Sequence, residues 1–436
     1  MRFSSRVPQR AAVAAAAVAV LLPLSACGGS GGSGGSSTSG SGKIDGSITF
    51  QTWNLKTGYK SYFNTLIAGF EKKYPGTHVK WVDQPADNYA DKLSADASGG
   101  TLPDVVNVSP DLGAPLAKAG LALDLDSDPA AAKYKKEYLP GAWQSSQVPG
   151  MKGTYAFPWY LNTGPMFYNK ALFKKAGLDP NKPPLTYDQM FSDALTMAKK
   201  SGGKVATLAN VPTIEDFGRY GVKIMNSKGD GFTFNGSKGV KLLTEYVKLY
   251  KAHALDPQAL TATPDSAGQK FLTQAVAMNP GSALDLGHFK TQAPSLYKNI
   301  GITPQITSTG KVNMYVMGLM VNAKTKNKAT SIAFAHYVTD AKNQLSFAKK
   351  AAIFPSTAGT LDDPYFTKED GTDTARVRVA AAKSLKTAVN YTPVVFSDQM
   401  KTELGNEVAK ALQGKESPQA ALDAAVKSCD QLLKQS

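Results

Sequence analysis

An α/β fold of more than one domain is what this sequence predicts, and three observations carry it. The chain has 436 residues, 42% of them hydrophobic, so it can fill more than one core. Between residues 47 and 118, short β-branched runs alternate with helical patterns. No repeat of fixed period interrupts that alternation. Strands separated by helices favour a mostly parallel sheet.

The first element is not part of the fold. Arg2, Arg6 and Arg10 precede an apolar run at 11–24 with no acidic residue. The run falls short of the roughly 20 apolar residues that span a bilayer. A charged start and a short apolar run are the marks of a secretory signal. Its end, Leu24-Ser25-Ala26-Cys27, resembles the bacterial lipobox, whose cysteine is lipidated and becomes the first mature residue. The alternative is an ordinary signal with a chance cysteine. Residues 28–42 are almost all Gly and Ser, a composition that buries nothing and behaves as a flexible coil. At about 5–6 Å × √n it spans roughly 20 Å. The expectation is a lipoprotein signal peptide at 1–26 and a lipidated Cys27 with its tether at 27–43. The protein is then extracytoplasmic, held by palmitate-type acyl chains on the outer face of the cell membrane. The tract also spells G-x-S-x-G and G-x-G-x-x-G, but neither follows a strand or opens a helix, so neither has its scaffold.

The folded part opens with "SITFQTW" at 47–53, a strand. Tyr62, Phe63, Leu66, Ile67, Phe70 and Tyr74 then recur at helical spacing until Pro75-Gly76. "HVKWVD" is the next strand, "YADKLSADAS" a helix stopped by Gly99-Gly100, and "DVVNVS" a strand before a helix around Leu116. From Ser397 the tail is helical, with Met400, Leu404, Val408 and Leu412 on one face, followed by "SPQAALDAAVKSCDQLL".

Charge and cysteine exclude several classes. The formal charge is +15, or +12 without the three signal arginines. Lys and Arg are scattered and the chain is exported, which argues against nucleic acid; anionic lipid or wall polymer is the milder attraction. With Cys27 lipidated, Cys429 has no disulfide partner. His78, His253, His288 and His336 are far apart and no H-E-x-x-H or C-x-x-C occurs, so no metal or other cofactor is expected. "DLDSDP" at 124–129 imitates a calcium loop but has Pro129 and Lys135 where Gly and Glu are needed. No G-x-x-x-x-G-K-[ST] nucleotide site is present.

An ordered set of segments carries a family likeness. "GTLPDVVNVS", "PLAKAGLALDL", "KGTYAFPWYLNTGPMFYNKALFKKAGLD", "KPPLTYDQM", "QAVAMNPGSALDLG", "IGITPQI", "VMGLMVNAKTKNKATSIAFAHYVTD" and "AAIFPS" follow one another over nearly all of 44–436. This set resembles the extracellular solute-binding proteins, family 1, that serve bacterial ABC importers, the carbohydrate branch above all. The resemblance implies a two-lobed periplasmic-binding-protein type II fold: α/β lobes, a hinge of crossing strands and a ligand cleft between them. It implies crossings near Trp159–Pro165, Tyr315–Gly318 and Phe354–Pro355, hence one lobe of 44–162 with 317–353 and another of 163–315 with 354–436. It further implies a non-enzymatic monomer that captures a sugar or oligosaccharide and docks on separate permease subunits in the membrane.

Sugar clefts pair flat aromatics with hydrogen-bonding side chains. Trp53 and Asn54 follow the first strand, where core packing is the competing role. Asp111 follows "NVSP", with a helix N-cap as the alternative; Leu112 stands where the maltose type has an arginine. Trp159 and Tyr160 are the best-placed pair, against hinge packing. Asp216 and Phe217 in "PTIEDFGRY", and Ser282 and Asp285 in "PGSALD", lie where the family's second lobe meets ligand, although the family's Gly-Pro-Trp is missing from the latter. Tyr315 and Phe354 are expected on the floor, and Phe396 is either a late cleft aromatic or core. The alternatives are a secreted carbohydrate-active hydrolase, which needs only two facing carboxylates, and an adhesin or other surface lipoprotein outside transport.

Overall fold

The computed structural model describes residues 42–85, 87–261 and 264–435; the signal segment, Cys27 and most of the Gly/Ser tract lie outside them. The first strands form where alternation places them. β1 (Gly46–Trp53), β2 (Thr77–Gln84) and β3 (Val105–Val108) are joined by helices Lys56–Lys73 and Tyr89–Gly99. Helix Lys56–Lys73 buries Phe63, Leu66 and Phe70, a stripe at three- and four-residue spacing.

The chain continues through β4 (Phe157–Asn162), β5 (Met166–Asn169), β6 (Met278–Pro280), β7 (Ile300–Thr303), β8 (Tyr315–Val321) and β9 (Phe354–Pro355). A larger sheet has the order β2-β1-β3-β8-β4-β9, and a smaller one β6-β5-β7. Only the β1 pairings with β2 and β3 are parallel; β8 runs antiparallel to β3 and β4, and β9 to β4. The expected mostly parallel sheet is therefore a mixed one. The reason is topological: β8 arrives from the smaller sheet, so it enters against the direction of the strands beside it.

The larger sheet is covered on both faces at its centre, so β3 is buried along its whole length and β8 over most of it, while β2 at the edge alternates buried and exposed residues at its start. Phe50, Phe63, Phe334, Phe347 and Trp159 share one core cluster beside it. The smaller sheet shares a second large core with the tail helices Asp398–Leu412 and Pro418–Leu433 and helix Ser237–Lys251. The tail folds as its pattern predicts. Ser397 and Ser417 accept from Met400 N and Ala420 N and cap the two helices, and Met400, Leu404, Val408 and Leu412 are buried.

The chain passes from β4 to β5 through 163–165 and from β7 to β8 through 304–314. Gln305 ties these passages together. Its amide donates to Thr163 Oγ1 at 2.9 Å, Gly164 O at 3.1 Å and Asn313 O at 3.2 Å, and its carbonyl accepts from Asn313 N at 2.9 Å. A third segment runs alongside, since Asn313 bridges Val389 in parallel and Asn313 Oδ1 accepts from Tyr391 N. Phe354, at the expected third crossing, pairs with Leu161 at the edge of the larger sheet. It is buried with Leu161, Phe366 and Leu385.

Candidate functional site

Strand directions decide where the two sheets can hold a ligand. β1, β3 and β4 end, and β8 begins, on one edge of the larger sheet. In the smaller sheet, Met166 at the start of β5 pairs with Pro280 and Thr303, the ends of β6 and β7. Residues 206–208 bridge in parallel beside β6, so they too run toward the join. Carboxyl ends of both sheets thus open on the passages that connect them, the position where α/β sheets take ligands.

A pocket of about 480 Å³ lies there. Asn210, Thr213, Glu215, Asp216 and Arg219 come from the turn and helix after 206–208; Asn279, Gln305, Asn313 and Tyr315 come from β6 and the passages. Tyr187, Tyr246 and Met190 supply apolar wall. Tyr315, at the start of β8, is 56% exposed, and it lines the pocket.

The helix Ile214–Tyr220 shapes the charged side of this pocket. Asp216 is fully engaged. Its Oδ2 accepts from Thr213 N at 2.8 Å and Thr213 Oγ1 at 2.9 Å; its Oδ1 accepts from Tyr187 Oη at 2.7 Å and Arg219 Nη2 at 2.6 Å. Burial works to lower the Arg219 pKa, but Asp216, Tyr187, Tyr246 and Glu215 together outweigh it, so the guanidinium stays charged. Burial and then Asp216 raise the Tyr187 phenol well above its usual range, which keeps that hydroxyl a donor. Glu215 Oε1 accepts from Thr392 Oγ1 at 2.6 Å, and no donor among the described residues meets its other oxygen. The Asn210 amide likewise has no hydrogen-bond partner among the described residues and is available at the pocket wall.

Of the residues expected at the site, Asp216 and Tyr315 line this pocket. Trp159 does not: it is 0% exposed, lies on Phe347 with centroids 5.4 Å apart at 19°, and packs edge-on to Phe63 at 5.9 Å. The floor platform expected there is a core residue. Tyr160, half-buried, meets Trp159 edge-on at 5.1 Å. Phe217 packs on Phe234 at 6.0 Å and Phe396 on Phe232 at 5.4 Å, both buried in the core of the smaller sheet, so neither is a cleft aromatic. Phe354 is buried in the cluster already described. Ser282 N and Oγ both donate to Asp285 Oδ2 at 2.7 Å, which makes this pair a capping box for helix Ala283–Gln292. On the larger sheet, half-buried Trp53 stacks face to face on Tyr89, 5.0 Å apart at 1°. Asn54 is exposed and holds the left-handed turn after β1 (φ 55°), a conformation asparagine tolerates. Asp111 is exposed in the first turn of helix Pro110–Lys118, where Ser109 holds the N-cap position. These three sit at the expected edge without lining the pocket.

Sequence reasoning missed Asn210, Glu215, Arg219 and Gln305. Glu215 was one residue from Asp216, and Arg219 lies three residues beyond it on the same helix face, the spacing of an ion pair.

Residues 54–345 match the family described as bacterial extracellular solute-binding protein, and the chain belongs to that family. It is 25% identical over 332 residues to the sn-glycerol-3-phosphate-binding periplasmic protein UgpB of Escherichia coli K12, covering 67% of this chain and 72% of that one. The sugar-binding protein MalE of Xanthomonas citri superposes with TM-score 0.71 at 19% identity, covering 89% of this chain and 98% of that chain. The GacH receptor of Streptomyces glaucescens, solved unliganded and with acarbose, superposes with TM-score 0.62 at 24% identity over 90% and 99%. The fold is the two-lobed type II fold of periplasmic binding proteins. Among the described residues no helix is long and apolar enough to cross a membrane, and no group of side chains could hold a metal ion.

Proposed function

We propose that this protein captures a sugar or oligosaccharide outside the cell and delivers it to the permease of an ABC importer, without chemistry of its own. The observation that carries the reading is the pocket at the join of the two sheets, where the exposed Tyr315 ring stands beside Asn210, Glu215 and Asn279. A ring face for C–H groups beside the second Glu215 oxygen and the Asn210 amide, neither with a partner among the described residues, suits a polyol. Neighbours solved with, or named for, sugars support the ligand class. In this reading lobe one is 44–162 with 317–353 and lobe two is 163–315 with 354–436, and the segment after Phe354 packs at their join. Ligand bridging the lobes favours the closed form by its differential affinity for the two states.

The test is a thermal-shift screen over mono- and oligosaccharides. A ligand at about 100 times Kd adds about 2.7 kcal/mol; a screen in which no sugar stabilises the protein, or in which a glycoside is turned over, defeats the reading. Anchoring is a separate proposal. Cys27 carries the lipid and the Gly/Ser tract joins it to the lobes. Cys27→Ala should shift the protein from the detergent to the aqueous phase; an unchanged partition rejects it.

A further inference from the structure

Among the described residues, the charged groups lining the pocket are Glu215, Asp216 and Arg219, two carboxylates against one guanidinium. Arg219 is held at its two terminal nitrogens: its Nη2 is 2.6 Å from Asp216 Oδ1 and its Nη1 donates to Ile306 O at 3.3 Å, while its Nε is buried without a hydrogen-bond partner among the described residues. That pair cancels. The backbone end of helix Ile214–Tyr220, which would otherwise attract an anion, is already met by Asp216 through Thr213 N and carries Glu215 in its first turn. What remains is the charge of Glu215. It is half-buried and fixed by Thr392 on one oxygen, and its second oxygen has no donor among the described residues. The net charge of the whole chain is +15, so the negative pocket is a local arrangement and not a reflection of the surface.

We propose that Glu215 makes the pocket a charge filter that admits neutral or amine-bearing polyols and rejects phosphate esters. A hydroxyl or ammonium can donate to the unpaired oxygen, whereas a phosphate would stand beside a like charge, with the Arg219 guanidinium already paired with Asp216. This separates the chain from relatives named for sn-glycerol 3-phosphate, although it shares 25% identity with them. The inference rests on the sugar reading only for the hydroxyl-rich class of ligand; the filter is read with anions alone.

The experiment measures thermal stabilisation of the wild-type chain, Glu215→Gln and Glu215→Asp by sn-glycerol 3-phosphate and by inorganic phosphate, at low and high salt. The wild type and Glu215→Asp, which keeps the charge, should show no saturable response. Glu215→Gln should show a saturable response to sn-glycerol 3-phosphate at a concentration at least about tenfold below any at which the wild type responds, the modest end of what one like charge does at a partly exposed site, and added salt should narrow the gap. Saturable binding of sn-glycerol 3-phosphate by the wild type overturns the proposal. So does a Glu215→Gln protein that gains nothing, or an equal gain in Glu215→Asp, which would be a change of shape. Failure of every neutral sugar in the earlier screen would defeat the sugar reading and leave this comparison standing.

Discussion

Replacing Trp159 separates a core tryptophan from a ligand platform by magnitude. The ring is fully buried among Phe50, Phe63 and Phe347. Truncating such a ring to alanine costs about 3–5 kcal/mol from lost transfer and the cavity left behind. One term works the other way: Trp159 Nε1 is buried without a hydrogen-bond partner. An unmet buried donor costs about 1–3 kcal/mol, and either substitution removes it. Trp159→Ala should therefore fall at the lower end, near 3 kcal/mol. Trp159→Phe keeps most of the packing and sheds the donor, so it should lie within about 1 kcal/mol of wild type. With the lobe as the cooperative unit, 1 kcal/mol moves Tm by roughly 2–4 °C, so alanine should lower Tm by roughly 6–12 °C and phenylalanine by roughly 4 °C or less. Circular dichroism melts give Tm, and calorimetric titration of a stabilising sugar well below the melt gives affinity. Affinity should be unchanged in both variants. A Trp159→Ala protein that melts like wild type but binds weakly would refute the core assignment, and equal losses from the two substitutions would refute the ledger.

Three other outcomes follow from the same structure. Tyr315→Ala should weaken sugar binding by about 1–3 kcal/mol in titration calorimetry while Tm without ligand barely moves, because the ring is 56% exposed. Cys429 is fully buried, and burial pushes its thiol up to about 12 from 9.0. Alkylation of the native protein should stay negligible from pH 7 to about 10 and appear only on unfolding. The neutral thiol is favoured in the fold, so its contribution to stability is constant below about pH 9 and declines toward pH 12. Gly229 (φ +74°) sits so close to the 149–150 loop that a Cβ would lie 2.5 Å from Pro149 C. Gly229→Ala should lower Tm and raise hydrogen exchange around Val148–Met151, and unaltered exchange there would show that this contact does not hold the loops together.

The fold was legible in the chain because its elements are locally consistent. "SITFQTW", "HVKWVD" and "DVVNVS" become β1, β2 and β3 to within a residue or two at each end. The serines at 397 and 417 cap the tail helices as their positions suggest. Strand direction was not legible, since nothing in "VMGLMVN" says that it enters between β3 and β4 from the other sheet. The site was half legible for a similar reason. In β4 the register shifts between Pro158 and Tyr160, so Phe157 and Trp159 pack in one core and Leu161 in another, and all are buried because both faces are covered. An aromatic there cannot be assigned to core or cleft by alternation. Asp216 was found, but its role was not: only the structure shows both its oxygens spent on Thr213, Tyr187 and Arg219, leaving Glu215 as the open acceptor.

The central claim is that ligand lies at the join of the two sheets, against Tyr315 and beside Glu215 and Asn210. A crystal structure with the sugar that gives the largest thermal shift tests it most directly. The account predicts a sugar ring stacked on Tyr315, a hydroxyl or amine within hydrogen-bond distance of the second Glu215 oxygen, and Trp159 still enclosed by Phe63 and Phe347. A sugar bound away from this pocket, or in contact with the Trp159 ring, would contradict it.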